Sequence, residues 1–157
     1  MKLVGIIDED FVNYKKPAMT LEFPYCSFKC GASLCQNSDL ASAPTRTVDP
    51  IILAHRYVSN PITEAIVCQG LEPLDSFNEL MQFIHEVRCN FQCHDDIVIY
   101  TGYTKEECES AGYLTKLKKY DNIIIKYGRF IPDDIPHEDG VLGVKLASQN
   151  QYAERIS

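Results

Sequence analysis

The chain has 157 residues, of which 45% are hydrophobic and 24% are charged. These values are typical of one globular domain and exclude bulk disorder, and the chain is too short for a complete eight-unit barrel of ~250 residues. The formal net charge of −7 argues against general nucleic-acid binding, which relies on basic patches.

The predicted elements before residue 70 are a strand at 19–23, a loop rich in Cys, Gly and Ser at 24–47, a helix beginning at Pro50 and a strand at 65–68. Asp49 is expected to cap the helix, with Pro50 at its first position. One face of that helix is predicted to carry Ile51, Ile52, His55 and Val58.

The predicted elements after residue 70 are a helix opened by Ser76 and Glu79, a strand at 97–100, a short helix opened by Thr104 and Glu107, a strand at 123–126, a polar loop at 133–140 and a last strand at 141–146. Both helix openings have the capping-box pattern. The first of these helices has one apolar stripe, consisting of Phe77, Leu80, Met81, Ile84 and Val87.

This alternation of strands and helices predicts a single α/β domain over residues 1–157, with a mostly parallel sheet and crossover helices. Ligands collect at the carboxyl ends of the strands in such sheets. Three polar or cysteine-rich segments follow predicted strands, at 24–47, 69–72 and 101–103. We therefore expect them to form one site.

No apolar run reaches the ~18 residues of a membrane span, and the amino terminus turns acidic too early for a secretory signal peptide. We therefore expect a cytoplasmic protein without a membrane partner. Seven cysteines are many for a reducing compartment, their number is odd and their spacing is uneven. Such clustering in that compartment indicates metal or redox chemistry rather than a disulfide framework.

Cys26, Cys30 and Cys35 place three thiols within ten residues. A structural zinc site would need a fourth ligand. The candidates for it are His55, Cys68, Cys89, Cys93 and His94. Three cysteines without an obvious fourth favour an iron–sulfur cubane with one iron left open to a substrate, whereas the alternative is a set of packed apolar thiols.

The remaining cysteines and histidines are interpreted as structural. Cys68 is expected to pack inside a strand and Cys108 on a helix, and His55 and His85 are expected at core or boundary positions. Cys89, Cys93 and His94 have a spacing that a second metal could use, but we interpret them as incidental.

Six segments spread over nearly the whole chain carry a family resemblance, and the first of them is Phe11-Val-Asn13. The other five are Met19-Thr-Leu-Glu-Phe-Pro-Tyr-Cys26, Gly70-Leu-Glu-Pro-Leu74, Ile97-Val-Ile-Tyr-Thr-Gly-Tyr103, Gly128-Arg-Phe-Ile131 and Leu146-Ala-Ser-Gln-Asn-Gln151. The chain thereby resembles the radical S-adenosylmethionine enzymes, and among them the small activating enzymes of anaerobic ribonucleotide reductase.

The resemblance implies a partial, open (β/α) barrel in which Cys26, Cys30 and Cys35 bind three irons of a [4Fe-4S] cluster. S-adenosylmethionine would chelate the fourth iron. The residues implied to bind it are Gly70, Glu72, Tyr103, Ser148 and Asn150, with no catalytic residue beyond the cluster ligands. The implied partners are the large glycyl-radical subunit of the reductase and an electron donor such as a flavodoxin or ferredoxin.

Two positions depart from the family pattern. Four residues, instead of two, separate Cys30 from Cys35, so the loop must bulge there, and Leu71 replaces a glycine before Glu72. Two other interpretations therefore stay open. One is radical chemistry on another glycyl radical enzyme or on a small molecule, and the other is a non-catalytic scaffold that holds zinc or an iron–sulfur cluster.

Overall fold

The computed structural model describes all 157 residues, and ten strands and four α-helices form the chain. The strands are β1 (Lys2–Leu3), β2 (Gly5–Asp10), β3 (Ala18–Phe23), β4 (Arg46–Thr47), β5 (Ala65–Gly70), β6 (Asp96–Tyr100), β7 (Ile123–Tyr127), β8 (His137–Asp139), β9 (Val144–Leu146) and β10 (Tyr152–Arg155). The helices are α1 (Pro50–Val58), α2 (Phe77–His85), α3 (Lys105–Ser110) and α4 (Tyr113–Leu117).

The principal sheet has six strands in the order β10-β7-β6-β5-β3-β2. The four central strands are parallel, and an antiparallel strand closes each edge. Helices connect the parallel strands, which is the arrangement expected of crossover connections. The predicted α/β class with a mostly parallel sheet is confirmed, although the edge strands make the sheet mixed.

The two faces of this sheet are covered differently. One face packs against the helices, and its core includes Leu21, Cys68, Ile99 and Ile125 from the strands together with Leu53, Leu80 and Ile84 from α1 and α2. The other face presents Val67, Val98 and Ile124, which pack against Tyr14, Leu142 and Leu146. We call this second face the inner face, because irregular chain and the β8–β9 hairpin cover it instead of a helix.

Helix α1 begins as predicted, since the Asp49 carboxylate accepts a hydrogen bond from the Ile51 N–H at 3.1 Å. The face of α1 that is buried is not the face that the sequence predicted. The buried residues are Leu53, Ala54 and Tyr57, whereas Ile51, Ile52, His55 and Val58 are exposed. Tyr57 fixes the orientation, because its hydroxyl donates to the Asp95 carboxylate at 2.6 Å.

The two predicted capping boxes have different outcomes. The box of Thr104 and Glu107 is present at the start of α3, with both reciprocal hydrogen bonds. The box at Ser76 is absent, because α2 continues directly from a 3-10 turn over Pro73–Ser76. Glu79 instead accepts a hydrogen bond from the Lys2 N–H at 3.1 Å. The predicted stripe of α2 is otherwise buried, apart from the half-buried Met81.

The carboxyl-terminal part of the chain has more strands than the sequence indicated. The predicted loop at 133–140 contains β8, and the predicted last strand is shortened to β9. The actual last strand is β10, in which only Ala153 is buried. Such an edge strand buries too little for a clear apolar pattern. No helix has both the length and the apolar character that crossing a membrane requires.

Candidate metal centre

A cavity of about 380 Å³ lies over the carboxyl ends of the four parallel strands. Its lining includes Cys26, Cys30 and Cys35 after β3, Glu72 after β5 and Thr101 after β6. The three segments that were expected to form one site therefore do come together, at the carboxyl ends of the parallel strands. The cavity volume is in the range of small-ligand sites.

The loop that carries the three cysteines bulges between the second and the third of them. Gly31 has a φ of +92°, and residues Ala32–Leu34 form a 3-10 turn. The N–H of Gly31 donates to the Phe28 carbonyl at 2.8 Å, and the N–H of Leu34 donates to the Gly31 carbonyl at 3.1 Å. A left-handed glycine followed by a tight turn absorbs the additional residues, so Cys30 and Cys35 line the same cavity.

Asp75 anchors this loop to the rest of the site. One carboxylate oxygen accepts the Ser27 N–H at 2.8 Å, and the other accepts the Tyr103 hydroxyl at 2.6 Å. The Tyr103 ring also has the Lys29 ammonium 4.9 Å from its centroid and the Arg129 guanidinium 5.7 Å away. Tyr103 lines a neighbouring groove rather than the cavity itself, and its contacts here position the cysteine loop.

The donor set fits an iron–sulfur cluster better than a single metal ion. Nowhere in the chain do three or more His, Cys, Asp or Glu side chains converge closely enough to hold one ion. A cubane does not require such convergence, because each cysteine binds a different iron and the cluster holds the sulfurs apart. Three thiols around one cavity, without a fourth, leave one position of such a cluster open.

The Cys26 thiol must lose its proton to bind iron. Burial raises its pKa, and the charges of Glu72 and Asp75 raise it further, whereas a hydrogen bond from the Phe28 N–H at 3.2 Å lowers it. The thiol therefore stays protonated at neutral pH until a cation binds. Cluster binding consequently releases a proton and is favoured at higher pH.

Glu72 is almost completely buried, with 4% of its surface exposed. One carboxylate oxygen accepts the Gly102 N–H at 2.8 Å, and the other accepts the Leu74 N–H at 3.1 Å. Burial raises the pKa of this carboxyl to about 7, although the two N–H groups oppose the increase. A buried carboxylate with free lone pairs toward a cavity is suited to bind a cationic group.

The burial of Glu72 predicts a pH dependence of stability. Between pH 4.5 and about 7, the Glu72 carboxyl stays protonated in the folded chain but is ionised in the unfolded chain. The free energy of unfolding therefore falls as the pH rises through this range. From pH 6 to pH 7, we expect the free energy of unfolding of the metal-free wild-type protein to fall by about 1 kcal/mol more than that of Glu72→Gln. Urea denaturation of both proteins at pH 6, 7 and 8 measures this difference, and parallel curves would contradict the prediction.

Lys126 is a second buried charged residue in the cavity lining, and the sequence interpretation did not identify it. Only 7% of its surface is exposed, and its ammonium donates to the Gly128 carbonyl at 2.9 Å. Burial lowers its pKa to about 8, and the charge of Glu72 opposes that decrease. The signal in the sequence was a single charged residue in the otherwise apolar strand Ile123–Tyr127.

Ser148 and Asn150, which the resemblance placed at the ligand, lie outside the cavity lining. The Ser148 hydroxyl is fully buried, accepts the Ile131 N–H at 2.8 Å and donates to the Ile131 carbonyl at 3.2 Å. The Asn150 amide donates to the Arg129 carbonyl at 2.9 Å. Both side chains therefore hold the loop after β7, and neither caps a final helix, because the chain ends in a strand.

The other cysteines do not line the cavity. Cys68 and Cys108 are buried in the core between the sheet and the helices, as expected. Cys93 lies before β6, where its thiol donates to the Asp95 carboxylate at 3.4 Å. His94 pairs with Asp121 at 2.6 Å instead of facing a metal site.

A family model described as a 4Fe-4S single cluster domain matches residues 18–151. This range includes every residue that lines the cavity except Asn13. Comparison with curated proteins gives no match, and comparison with solved structures also gives none. The matched region covers most of the 157 residues. The chain belongs to the 4Fe-4S single cluster domain family, and it is an iron–sulfur protein.

Proposed function

We propose that the protein is a radical S-adenosylmethionine activase that installs a glycyl radical on an anaerobic ribonucleotide reductase. The observation that carries the proposal is the position of three cysteines and a buried glutamate around one cavity, at the carboxyl ends of four parallel strands. Three thiolates leave one iron of a [4Fe-4S] cluster for a ligand from solution. The open barrel implied by the resemblance is consistent with an inner sheet face that no helix covers.

When bound, the reduced cluster supplies one electron that breaks the sulfonium C–S bond, giving methionine and a 5′-deoxyadenosyl radical that takes a hydrogen atom from a glycine. The residues of the chain position these groups. Cys26, Cys30 and Cys35 hold the cluster, and Glu72 accepts a hydrogen bond from the ammonium of the ligand. Gly70 keeps the end of β5 close to the cysteine loop, since its carbonyl accepts the Asn37 amide at 3.0 Å.

A protein substrate is supported by the surface next to the cavity. Tyr25, Leu34 and Ile131 are each 44–49% exposed. Each is adjacent in the chain to a residue that lines the cavity. Contiguous exposed apolar side chains next to a ligand site are typical of an interaction surface. We assign this surface to the large glycyl-radical subunit, whose glycine must come close to the ligand.

The proposal predicts a reaction that can be measured without the partner. After anaerobic reconstitution with iron and sulfide, we expect dithionite and S-adenosylmethionine to give methionine and 5′-deoxyadenosine in equal amounts. Product formation should depend on the reductant, because one electron is needed for each bond that breaks. Chromatography of the quenched mixture measures both products, and the unreduced protein is the control.

The scaffold alternative makes a different prediction in the same experiment. The bulged loop between Cys30 and Cys35 and the side chain of Leu71 favour it, because both differ from the family pattern. A protein that takes up four irons but forms no 5′-deoxyadenosine would hold a cluster without cleaving the nucleotide. A colourless protein with one bound zinc would exclude the cluster altogether.

A further inference from the structure

The cysteine loop, which comprises residues 26–45, has no hydrophobic core of its own. No residue from Cys26 to Thr45 is buried, and its two 3-10 turns bury nothing either. The hydrogen bonds inside the loop connect residues no more than three positions apart. A segment with few buried contacts and only local hydrogen bonds has low local stability. Nothing within the loop therefore holds the three thiols around the cavity.

The backbone of the loop is also strained. Phe28 has a φ of +50°, in the left-handed region that Gly31 occupies as well. Glycine adopts this conformation freely, but a bulky residue pays for it in free energy and keeps it only where its surroundings impose it. The loop would relax from this conformation if contacts from outside did not maintain it.

Only two hydrogen bonds join the cysteine loop to the rest of the protein. The Ser27 N–H, directly after the first cysteine, donates to the Asp75 carboxylate at 2.8 Å. The Asn37 amide, two residues after the third cysteine, donates to the Gly70 carbonyl at 3.0 Å. The two bonds thus fix the loop next to its first and its last thiol.

Both bonds end on regular structure. Asp75 lies in the 3-10 turn that runs into α2, and its second oxygen accepts the Tyr103 hydroxyl at 2.6 Å. Gly70 is the last residue of β5. The loop has one further polar side chain in contact with the rest of the protein, Lys29, whose ammonium is 3.9 Å from Glu107 and 4.9 Å from the centre of the Tyr103 ring. Such a long, solvent-exposed ion pair contributes little.

The two ends of the loop are held independently of these bonds. The Tyr25 carbonyl, just before the loop, accepts the Glu72 N–H at 2.8 Å. Strand β4, just after it, pairs with β1. The loop is therefore fixed at its ends and closed over the site by two hydrogen bonds between them, so losing these bonds opens the loop without unfolding the sheet.

We propose that the cysteine loop opens and closes as one local unit, and that Asp75 and Asn37 are the positioning residues that hold it closed and thereby retain the cluster. The inference rests on the proposed function for the assignment of the three cysteines to the cluster. Neither residue binds iron in this role. A cluster held by all three thiols favours the closed loop, and by linkage the closed loop favours the bound cluster.

Amide hydrogen exchange of the cluster-free protein, followed by mass spectrometry of its peptides, measures the opening of the loop. We expect Asp75→Ala and Asn37→Ala each to speed exchange in the cysteine loop by about fivefold to tenfold, because each removes one hydrogen bond from the closed state. Exchange in β6 and β7 should stay as in the wild-type protein. Loading the wild-type protein with the cluster should slow exchange in the loop further.

Conservative variants distinguish positioning from general damage. Asp75→Asn keeps an oxygen that accepts the Ser27 N–H and should exchange nearly as slowly as the wild-type protein. Asn37→Asp sets an acceptor against the Gly70 carbonyl and should open the loop as much as Asn37→Ala. Asp39→Ala is the matched control, because Asp39 is an exposed residue of the same loop that forms hydrogen bonds through its backbone carbonyl only.

Release of the cluster provides the second readout. Each protein is reconstituted anaerobically with iron and sulfide and then mixed with a ferrous-iron chelator, and the coloured chelate is followed over time. We expect Asp75→Ala and Asn37→Ala to release iron about fivefold to tenfold faster than the wild-type protein and Asp39→Ala. The melting temperature of the cluster-free protein should be the same for all of them.

The outcomes separate this inference from the function on which it rests. If both alanine variants exchange and release iron as slowly as the wild-type protein, the two side chains do not hold the loop, and the inference is wrong while the proposed function survives. Faster exchange throughout the sheet with a lower melting temperature would also overturn it, because the loop would then not be a separate unit. If the wild-type protein takes up no iron, the proposed function is wrong and cluster retention by the loop fails with it.

Discussion

Replacing Cys26, Cys30 or Cys35 by alanine is expected to abolish iron–sulfur cluster binding and, with it, all formation of 5′-deoxyadenosine. Each thiolate supplies the only protein ligand to one iron, and the cavity lining offers no spare cysteine to replace it. We expect the iron content after anaerobic reconstitution to fall from about four per chain to below one. Iron analysis and the visible absorbance of the cluster measure this loss.

The matched controls are Cys89→Ala and Cys93→Ala. Both residues precede β6, whereas the three proposed ligands follow β3. Because β3 and β6 run parallel in one sheet, the two groups of cysteines lie at opposite ends of the strands. Cys89 is exposed, and the thiol of Cys93 makes only one weak hydrogen bond, to Asp95. Both variants should retain a full cluster, and loss of iron in either one would make the ligand assignment wrong.

The central part of the fold could be predicted from the sequence because its signals are local and strong. Strands β5, β6 and β7 each contain an uninterrupted apolar run of three or four residues, and helix α2 has an apolar stripe at helical spacing. The edge strands gave no such signal. β2 has three acidic residues among its six, and β10 buries only Ala153, so neither has a periodic apolar pattern.

The candidate site was predictable where it depends on spacing and not where it depends on tertiary packing. Three cysteines in one loop are visible as a pattern, and Glu72 was found because it follows a strand. Lys126 belongs to no motif, and its significance appears only once its burial and lack of a counter-ion are known. Ser148 was assigned to the ligand by its motif, yet its hydroxyl bonds the backbone of Ile131.

Gly70 joins the stability of the sheet to the geometry of the site. Its φ is +102°, and a Cβ atom built on it would lie 2.6 Å from the nitrogen and 2.8 Å from the oxygen of Phe23. Those atoms belong to the backbone of β3, which pairs with β5 at this point, so they cannot move aside. The chain after Phe23 leads directly into the loop of Cys26. A displacement here would therefore reach the cysteine ligands.

Gly70→Ala should consequently destabilise the protein and impair cluster binding together. We expect a loss of about 3 kcal/mol in unfolding free energy, which corresponds to a melting temperature roughly 6–12 °C lower. Two alanine variants separate the causes. Gly140→Ala places its Cβ in open space and should be neutral, whereas Gly112→Ala, with a φ of +74° and no neighbouring atom within 4 Å, should cost about 1 kcal/mol from backbone strain alone. A Gly70→Ala protein that is no less stable than Gly112→Ala would contradict the close approach of β5 to the backbone of Phe23. It would also contradict the rigid support that the sheet is expected to give the site.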